Sequence, residues 1–369
     1  MKILIYIGHP AQYHFFKNII LKLKTSGVQV KVLIKSKDIL ENLVQEDQLD
    51  VENILPEGRK DSKKSILLAM LKRDARVLKI SRKFKPDLLI GSDTSVVHVA
   101  RLINKPGITV GEDDYHVIKK LAWLLMPFSK HVLSPDSCDL GLFNYKKVSY
   151  AGYMKLSYLH PNVFTPNDIG IETFIKEKFC IIRLAKLVAH HDDAVKGLSE
   201  TEVFDLIKLL SIKNIKVYID SEYKLSEKLK AYQLQIPKNR MHDLLSYAEL
   251  LISDSQSMTV EAAMLGVPSI RYNDFVGKIG VLNELENIYG LTYGIRPDNS
   301  ELLFDKVREI TSLSTLKSDF QEKRKKMLSE KIDVAAFFVW FLTNYPISVT
   351  TLKLNPDFQF SFNLKTEVV

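Results

Sequence analysis

Short apolar, β-branched runs alternate with segments of helical period along the first 150 residues of the chain. Strands are predicted near residues 2–7, 28–34, 87–90, 107–110, 131–133 and 147–150, and helices near 12–26, 37–46, 62–83, 94–103 and 115–126. Repetition of strand and helix in this order predicts a parallel sheet with helices on both faces. The first half of the chain therefore reads as one Rossmann-like domain.

The pattern stops over residues 151–177, which contain Pro161, Pro166 and Gly170, and this stretch is predicted to be a linker. It then restarts with strands near 179–184, 215–219, 249–253 and 268–271 and helices near 198–211, 241–247 and 257–265, followed by several helices to about residue 344. The last residues, 346–369, are polar and aromatic without a helical period. We expect an α/β protein with two doubly wound domains, 1–150 and 178–345, separated by a cleft in which loops after strands carry the chemistry.

The positive charge of the chain is concentrated in one stretch, which limits the partners that it can serve. The 369 residues carry a net charge of +8, and the stretch 59–85 holds eleven Lys or Arg against two Asp, so the basicity is local. Its apolar residues recur at helical spacing, which predicts a helix with one buried stripe and a cationic outer face. A solvated face and contact with an anionic membrane are both open interpretations. Nucleic acid is not expected, because no recognition motif accompanies the charge.

Cellular location follows from what the chain contains. No apolar run reaches the ~18 residues that cross a bilayer, and the start MKILIYIGHP resembles a first strand more than a signal peptide. The two cysteines, Cys138 and Cys180, are far apart and lack metal-ligand spacing. We expect a cytoplasmic protein, with peripheral binding at the inner face of the plasma membrane as an alternative.

The strongest chemical signal is the segment from Ile252 to Pro268, where a strand ends in small polar residues and a helix opens near Ser257. Free N–H groups and the dipole at a helix N-terminus bind anions, so this loop suits a phosphate. Glu261 lies one turn inside the helix, where it could reach ribose hydroxyls. The alternative is purely structural, with Ser255 or Ser257 as the cap and Glu261 completing a capping box.

This segment resembles the nucleotide-binding segment of GT-B-fold enzymes, and especially that of the non-hydrolysing UDP-N-acetylglucosamine 2-epimerases. The resemblance implies a GT-B architecture in which 178–345 binds a nucleotide sugar and 1–150 binds the acceptor. It further implies that Glu261 holds the ribose and that Ser255, Gln256 and Ser257 hold the diphosphate. Gln256 and Ser257 replace a glycine pair of the epimerases.

The first half resembles the same enzymes at two loops. Residues 90–95 are similar to the epimerase G-D-T loop, which makes Asp93 a catalytic candidate, and 109–112 are similar to the loop that carries a second catalytic carboxylate, here Glu112. The opening 8–16 resembles instead the H-P-A-x-x-H-F-F start of a largely uncharacterised bacterial and archaeal family of this superfamily. Residues 152–161 and 164–167 resemble the linker of that family.

One departure bears on the reaction. The third catalytic carboxylate of the epimerases has no counterpart in 119–128, which contains no acidic residue. Epimerisation needs more than one positioned acid–base group, because a proton leaves one face of C2 and returns on the other. The stretch 118–128 places apolar residues beside two lysines, as in GT-B transferases with lipid-linked acceptors, although a buried helix is the alternative.

These observations predict a metal-independent glycosyltransferase that moves a sugar, expected to be UDP-linked, to a cell-surface polysaccharide or glycolipid. A UDP-sugar 2-epimerase and a non-catalytic nucleotide-sugar binding protein are the alternatives. The candidate catalytic groups are loop histidines and carboxylates: His9, His14, Asp93, Glu112, Asp113 and Asp114. The candidate nucleotide-sugar ligands are Arg183, Lys186, Arg240, His242, Ser255, Gln256, Ser257 and Glu261.

Among the nucleotide-sugar ligands, Arg183 and Lys186 would neutralise the leaving diphosphate, and Arg240 and His242 would flank the uracil or the phosphates. No metal and no other cofactor is expected, since the consecutive His190–Asp193 cannot all face one site.

Overall fold

The computed structural model describes residues 1–37, 39–57, 63–185 and 196–363. The chain forms two compact units, the first from Met1–Val163 together with the chain from Lys331 onward, the second from Phe164–Glu330. The first unit begins with seven strands: β1 Lys2–Ile7, β2 Gln29–Ile34, β3 Glu52–Asn53, β4 Leu88–Gly91, β5 Gly107–Val110, β6 His131–Pro135 and β7 Lys147–Tyr150. Its helices in this part are α1 Pro10–Thr25, α2 Leu40–Glu46, α3 Lys63–Phe84, α4 Thr94–Leu102, α5 Tyr115–Leu125 and α6 Leu156–Leu159.

The seven strands form one parallel sheet in the order β3-β2-β1-β4-β5-β6-β7. The order reverses between β1 and β4, so the carboxyl ends of these two strands flank the point where ligands bind in open α/β sheets. The loops that begin at Gly8 and Ser92 leave the sheet at this point. The fold thus positions the two loops that the sequence analysis identifies.

Residues 331–345 and the tail belong to the first unit, which differs from the expected domain boundaries. Helix α13, Val334–Thr343, is apolar on nearly all sides and therefore needs burial on several of them. Its Phe338 packs edge-on against Phe15 of α1 at 4.9 Å and against Tyr150 of β7 at 5.4 Å between ring centroids. A Cβ on Gly152 would come within 2.7 Å of a Val334 methyl, so this close approach requires glycine there.

The tail is partly helical, so the prediction that it lacks a helical period is wrong. Helix α14 spans Ile347–Leu354, and the inward-facing Val349 and Leu352 are buried. The Ser348 hydroxyl donates a hydrogen bond of 2.8 Å to the Phe341 carbonyl. Two turns are too short for this period to stand out in the sequence.

The second unit has a five-stranded parallel sheet in the order β12-β11-β10-β8-β9. Its strands are β8 Phe179–Leu184, β9 Lys216–Ser221, β10 Leu250–Ser253, β11 Ser269–Tyr272 and β12 Tyr293–Ile295. Its helices are α7 Glu200–Ile212, α8 Met241–Tyr247, α9 Gln256–Leu265, α10 Gly280–Asn287, α11 Ser300–Ser312 and α12 Leu316–Glu330. The order reverses between β8 and β10, which places the loop after β10 at the ligand-binding point of this sheet.

The local predictions agree with most of these elements. The strands near 2–7, 107–110, 147–150 and 179–184 are confirmed, as are the α/β class and the strand–loop–helix arrangement around Ser255. The short edge strand β3 escaped prediction, because two residues carry no periodic signal.

Candidate functional site

A cavity of about 270 Å³ opens at the carboxyl ends of the strands of the first unit. Polar side chains from the strand-end loops and from the first turn of α1 line one part of it, namely His9, Gln12, Ser92, Glu112, Asp113 and Lys155. Apolar side chains from α5 and its neighbours line the rest, namely Ile118, Leu121, Leu125, Met126, Val132 and Leu140. The cavity is therefore two-sided and suits a ligand with a polar group beside an apolar portion.

Glu112 and Lys155 form an ion pair on the polar side of the cavity. The Lys155 ammonium contacts Oε1 of Glu112, and the Met154 amide donates to Oε2 at 3.2 Å. The two side chains are only 7% and 17% exposed. The sequence analysis did not predict Lys155 as a site residue, because it lies in the predicted linker and 43 positions from Glu112. The one signal that could have identified it is the resemblance of residues 152–161 to a family motif.

Asp113, the next residue, also lines the cavity and is the candidate acid–base group there. Desolvation and then the Glu112 carboxylate raise the pKa of Asp113 to about 6, and the Lys155 ammonium partly offsets this rise. The residue as a whole is exposed to solvent. A carboxyl group with this pKa is ionised at neutral pH and basic enough to accept a proton from a substrate hydroxyl.

Asp114 serves the local structure of the loop. It is 4% exposed, precedes the first residue of α5, and its Oδ1 accepts a hydrogen bond of 2.7 Å from the Asp139 amide. In return, the Tyr115 amide donates to the Asp139 carbonyl at 2.7 Å. These bonds fasten the loop before α5 to the loop after β6, and they turn Asp114 away from the cavity lining.

The two candidate histidines occupy different surroundings. His9 lines the cavity and caps α1, where its Nδ1 accepts a hydrogen bond of 3.2 Å from the Ala11 amide. A neutral His9 then carries its proton on Nε2, which favours hydrogen-bond donation over the role of a base. His14 is not among the cavity-lining residues, and its ring packs at 5.4 Å from that of Tyr158.

Asp93 caps α4 and pairs with two cations. Its Oδ1 accepts from the Ser95 amide at 3.1 Å, while Arg73 and Lys35 approach its carboxylate to 3.5 and 3.6 Å. The Asp93 and Arg73 side chains are 13% and 9% exposed. Asp93 does not line the cavity. Its helix cap and its two cations are sufficient structural reasons for an aspartate at this position, so no catalytic role is needed to account for it.

In the second unit the loop after β10 opens α9 as the sequence predicts. Ser255 is the N-cap, with its hydroxyl accepting from the Met258 amide at 3.4 Å, and Gln256 and Ser257 form the first helical positions. The amides at the start of a helix lack intrahelical acceptors, so those of Gln256 and Ser257 are suited to an anion. At the other end, Gly266 adopts φ +68°, and Arg324 donates to the Met264 carbonyl at 2.6 Å.

Glu261 lies one turn inside α9 and is 9% exposed. Its Oε1 is 3.5 Å from Nε2 of His242, whose ring contacts that of Phe164 at 6.5 Å between centroids. The structure thus brings together two predicted nucleotide-sugar ligands from different segments. The capping-box alternative does not apply to Glu261, since the Ser255 cap bond goes to Met258 and a capping box would need the acid at that position.

The predicted cations of the second unit are already paired where they are described. Arg183, on β8, contacts the carboxylates of Asp220 and Glu222, and Asp220 also accepts from Lys238 at 2.7 Å. The charge of Arg183 is therefore compensated within the protein. Lys186 lies outside the described residues.

Arg240 holds a loop. Its Nη2 donates to the carbonyls of Asn167 and Ile169 at 2.8 Å each, and its Nη1 is 3.1 Å from the Asp243 carboxylate. These contacts fix the segment 167–169 against α8. The predicted contact of Arg240 with a uracil or phosphate stays a prediction.

Two further properties concern the described part of the chain as a whole. None of its helices is both long and apolar enough to span a bilayer. No group of three or more His, Cys, Asp or Glu side chains among the described residues is arranged to hold a metal ion, and His190–Asp193 lie outside them.

The sequence matches no protein-family model and no curated protein. The fold, however, is similar to solved structures over nearly its whole length. The structure of S. aureus MnaA with UDP superposes with a TM-score of 0.69 at 12% identity, covering 96% of this chain and 97% of that one. UDP-GlcNAc 2-epimerase from Neisseria meningitidis bound to UDP-GlcNAc gives 0.64 at 12% identity, covering 89% and 94%.

The glycosyltransferase SsfS6 from Streptomyces sp. SF2575 gives a TM-score of 0.54 at 12% identity, covering 93% of this chain and all of that one. Identities this low establish the fold and leave the reaction open. The two parallel sheets and these likenesses show that the chain has the GT-B fold, shared with UDP-GlcNAc 2-epimerases and with glycosyltransferases.

Proposed function

We propose that this protein is a metal-independent glycosyltransferase that moves a sugar from a UDP-linked donor to a saccharide or lipid-linked acceptor of the cell surface. The observation that carries the proposal is the two-sided cavity, which Asp113 lines together with apolar side chains. An acceptor hydroxyl next to an apolar portion would match both sides. The similar structures with bound UDP and UDP-GlcNAc support the choice of donor.

In the proposed reaction the acceptor hydroxyl oxygen attacks the anomeric carbon of the donor sugar, and its proton passes to the Asp113 carboxylate. The bond from that carbon to the diphosphate breaks, and UDP leaves with the electron pair. The amides of Gln256 and Ser257 at the start of α9 would receive the negative charge that develops on the diphosphate. Glu261 would hold the ribose hydroxyls, with His242 beside it.

Donor binding is tested with Glu261→Ala, measured as the affinity for UDP by calorimetry. We expect at least roughly tenfold weaker binding, because a carboxylate bonded to ribose hydroxyls contributes about 1.5–3 kcal/mol. Glu301→Ala is the matched control, since Glu301 is an exposed glutamate in the first turn of α11. Equal UDP affinity of the two variants would show that the nucleotide site is misassigned.

The base is tested with Asp113→Asn and the pH dependence of UDP release in the presence of acceptor. Because the pKa of Asp113 is about 6, the carboxyl is a base above that pH, and kcat/KM should fall as pH drops below 6. The variant should lose roughly 10²–10⁴-fold in kcat together with this acidic limb. Asp50→Asn, at an exposed position, is the control, and a limb that survives in Asp113→Asn would assign the base elsewhere.

A UDP-sugar 2-epimerase is the second candidate, because UDP-GlcNAc 2-epimerases are among the similar structures. The sequence resemblance of residues 109–112 to their strand-end loop also makes Glu112 the counterpart of a catalytic carboxylate. Proton NMR of UDP-GlcNAc with the protein in heavy water separates the two reactions. Loss of the C2 proton signal with a second sugar appearing would establish epimerisation and reject the transferase. Nucleotide binding without exchange, followed by no turnover with any acceptor, would indicate a binding protein.

A lipid-linked acceptor requires contact with a membrane, and the proposal includes peripheral binding at the inner face of the plasma membrane. Near the end of α5, Trp123, Leu124 and Phe128 are 45–55% exposed. His98 of α4 joins this region to α3, with its ring nitrogens 3.0 Å from the Asp74 carboxylate and 3.0 Å from the Leu124 carbonyl. The basic helix α3 and the apolar end of α5 therefore lie on the same face of the first unit.

A further inference from the structure

The solvent-exposed face of α3 is apolar at the beginning of the helix and basic towards its end. Positions 68, 72, 75, 79 and 83 follow each other at three- and four-residue spacing, and all are exposed, so they form one line along the helix. At its beginning Leu67, Leu68 and Leu71 are 53%, 60% and 54% exposed. Towards its end the line carries Lys79 and Lys83. Neighbouring exposed leucines are unusual on a water-facing helix and indicate a surface that is covered by something apolar.

A groove of about 670 Å³ runs beside the basic end of this helix, between α3 and the strands β1, β2 and β3. Five cations line it, with Glu52 as its one acidic lining residue: Lys2, Lys31, Arg76, Lys79 and Lys83. It lies apart from the two-sided cavity and shares no lining residue with it. The excess of positive charge makes the groove a site for an anion.

Three of the five cations have partners in the protein, and the Lys2 ammonium lies over the Phe84 ring at 5.6 Å from its centroid. Lys31 is 2.7 Å from the Glu52 carboxylate, and Arg76 donates to the Ile54 carbonyl at 2.7 Å and to the Glu57 carboxylate at 3.0 Å. Lys79 and Lys83 have no hydrogen bond or ion pair with any described residue. These two ammonium groups are therefore available to a ligand, and they stand on the same line as Leu68, one of the three exposed leucines.

We infer that α3 lies flat on an anionic bilayer, with its leucines inserted among the acyl chains and a lipid phosphate held in the groove by Lys79 and Lys83. A soluble phosphate would account for the cations but would leave the leucines exposed to water. An interfacial helix needs both features, and α3 carries Leu68 and the two lysines on one line, with Leu71 one turn from Leu68. The inference rests on the membrane contact proposed above, and it makes no use of the reaction.

The test measures partition of the full chain, without nucleotide, onto sedimenting vesicles of phosphatidylglycerol and phosphatidylcholine, against vesicles of phosphatidylcholine alone. We expect binding to the anionic vesicles, and roughly 30-fold weaker partition for Lys79→Ala/Lys83→Ala. The control Lys213→Ala/Lys228→Ala removes two exposed lysines from the second unit and should bind as the parent does. Leu68→Ser/Leu71→Ser should also weaken partition, whereas Ile212→Ser, at a position 79% exposed, should not.

Several results would overturn the inference. Equal partition onto the two vesicle types would show that the protein does not bind an anionic headgroup. Equal loss of vesicle binding in Lys79→Ala/Lys83→Ala and in its control would show that these two lysines do not hold one. Saturable binding of inorganic phosphate that depends on Lys79 and Lys83, without vesicle binding, would make the groove a soluble-phosphate site. Binding of a DNA or RNA oligonucleotide without vesicle binding would assign the cations to nucleic acid. UDP affinity is measured in parallel on the same protein. A loss of vesicle binding with normal UDP affinity would reject only the membrane inference, and the reverse would reject only the proposed donor site.

Discussion

The ion pair between Lys155 and Glu112 predicts a stability loss that can be measured before any substrate is known. Lys155→Met removes the ammonium and keeps a side chain of similar length. The Glu112 carboxylate, 17% exposed, then retains the Met154 amide at 3.2 Å as its protein donor. Removing one partner of a buried ion pair costs about 3–5 kcal/mol. We expect about 3 kcal/mol, because Glu112 keeps one hydrogen bond and part of its hydration.

The double substitution distinguishes this cause from a packing effect. Glu112→Gln alone leaves the Lys155 ammonium buried and should also cost about 2–3 kcal/mol. In Lys155→Met/Glu112→Gln no charge is left without its partner, and the new amide oxygen can still accept the Met154 hydrogen bond. The free energy of unfolding should then lie within about 1 kcal/mol of the parent, which gives a coupling energy of at least about 4 kcal/mol.

The assay is urea unfolding followed by circular dichroism, with thermal unfolding as a second readout. A loss of 3 kcal/mol should lower the Tm of a unit of about 200 residues by roughly 6–12 °C. Lys105→Met, at an exposed position of the same unit, should change the unfolding free energy by less than about 0.5 kcal/mol. The reasoning fails if Lys155→Met has the same free energy of unfolding as the Lys105→Met control. It also fails if the double variant loses as much unfolding free energy as the two single variants together.

Three further predictions concern the first unit. The pKa of His98 is raised, chiefly by its hydrogen bond to the Asp74 carboxylate, so its stabilisation is complete below the usual pKa of 6.5 and is lost as pH rises above it; His98→Gln should flatten the decline in unfolding free energy above pH 6.5. Burial and nearby lysines lower the pKa of His131 to about 4, so stability should fall as pH drops from 6.5 towards 4, and His131→Gln should unfold with a smaller acid dependence. Phe338→Ala should cost about 3–5 kcal/mol in urea unfolding, since the ring is fully buried against Phe15, whereas Phe360→Ala, at an exposed position, should cost far less.

The sequence pattern predicts the positions of strands, and therefore of the loops that follow them. The loops at Gly8, Ser92, Gly111 and Asp254 all leave carboxyl ends of parallel strands, as the alternation of apolar runs and helices implies. This part is predictable because the spacing of apolar residues, and the turn-forming residues that end each element, are local properties of the chain. The resemblance of the Ser255–Glu261 segment adds the expected ligand but leaves the pairing of its neighbours open.

The partners of the charged residues could not be predicted in the same way. Arg183 meets Asp220 and Glu222 because β8 pairs with β9, and that register is a property of the sheet. Asp93 meets Arg73 from a helix 20 residues earlier in the chain. Period indicates which face of an element is buried, but it does not indicate which charges meet across two elements. For this reason a leaving-group cation and a catalytic acid were expected where the structure has internal ion pairs.

Four carboxylates compete for the role of base in the first unit, and the structure separates them by what each already binds. Asp93 accepts a helix amide and faces two cations, Asp114 accepts the Asp139 amide, and Glu112 holds Lys155. Each of these three carboxylates is therefore already engaged by a donor or cation of the protein. Asp113 faces the cavity, and its pKa is raised because its charge is desolvated and stands next to other negative charges. Thus, in the proposed reaction, the charges of Glu112 and Asp114 help to raise the pKa of Asp113, and Asp114 also fixes the loop that carries it.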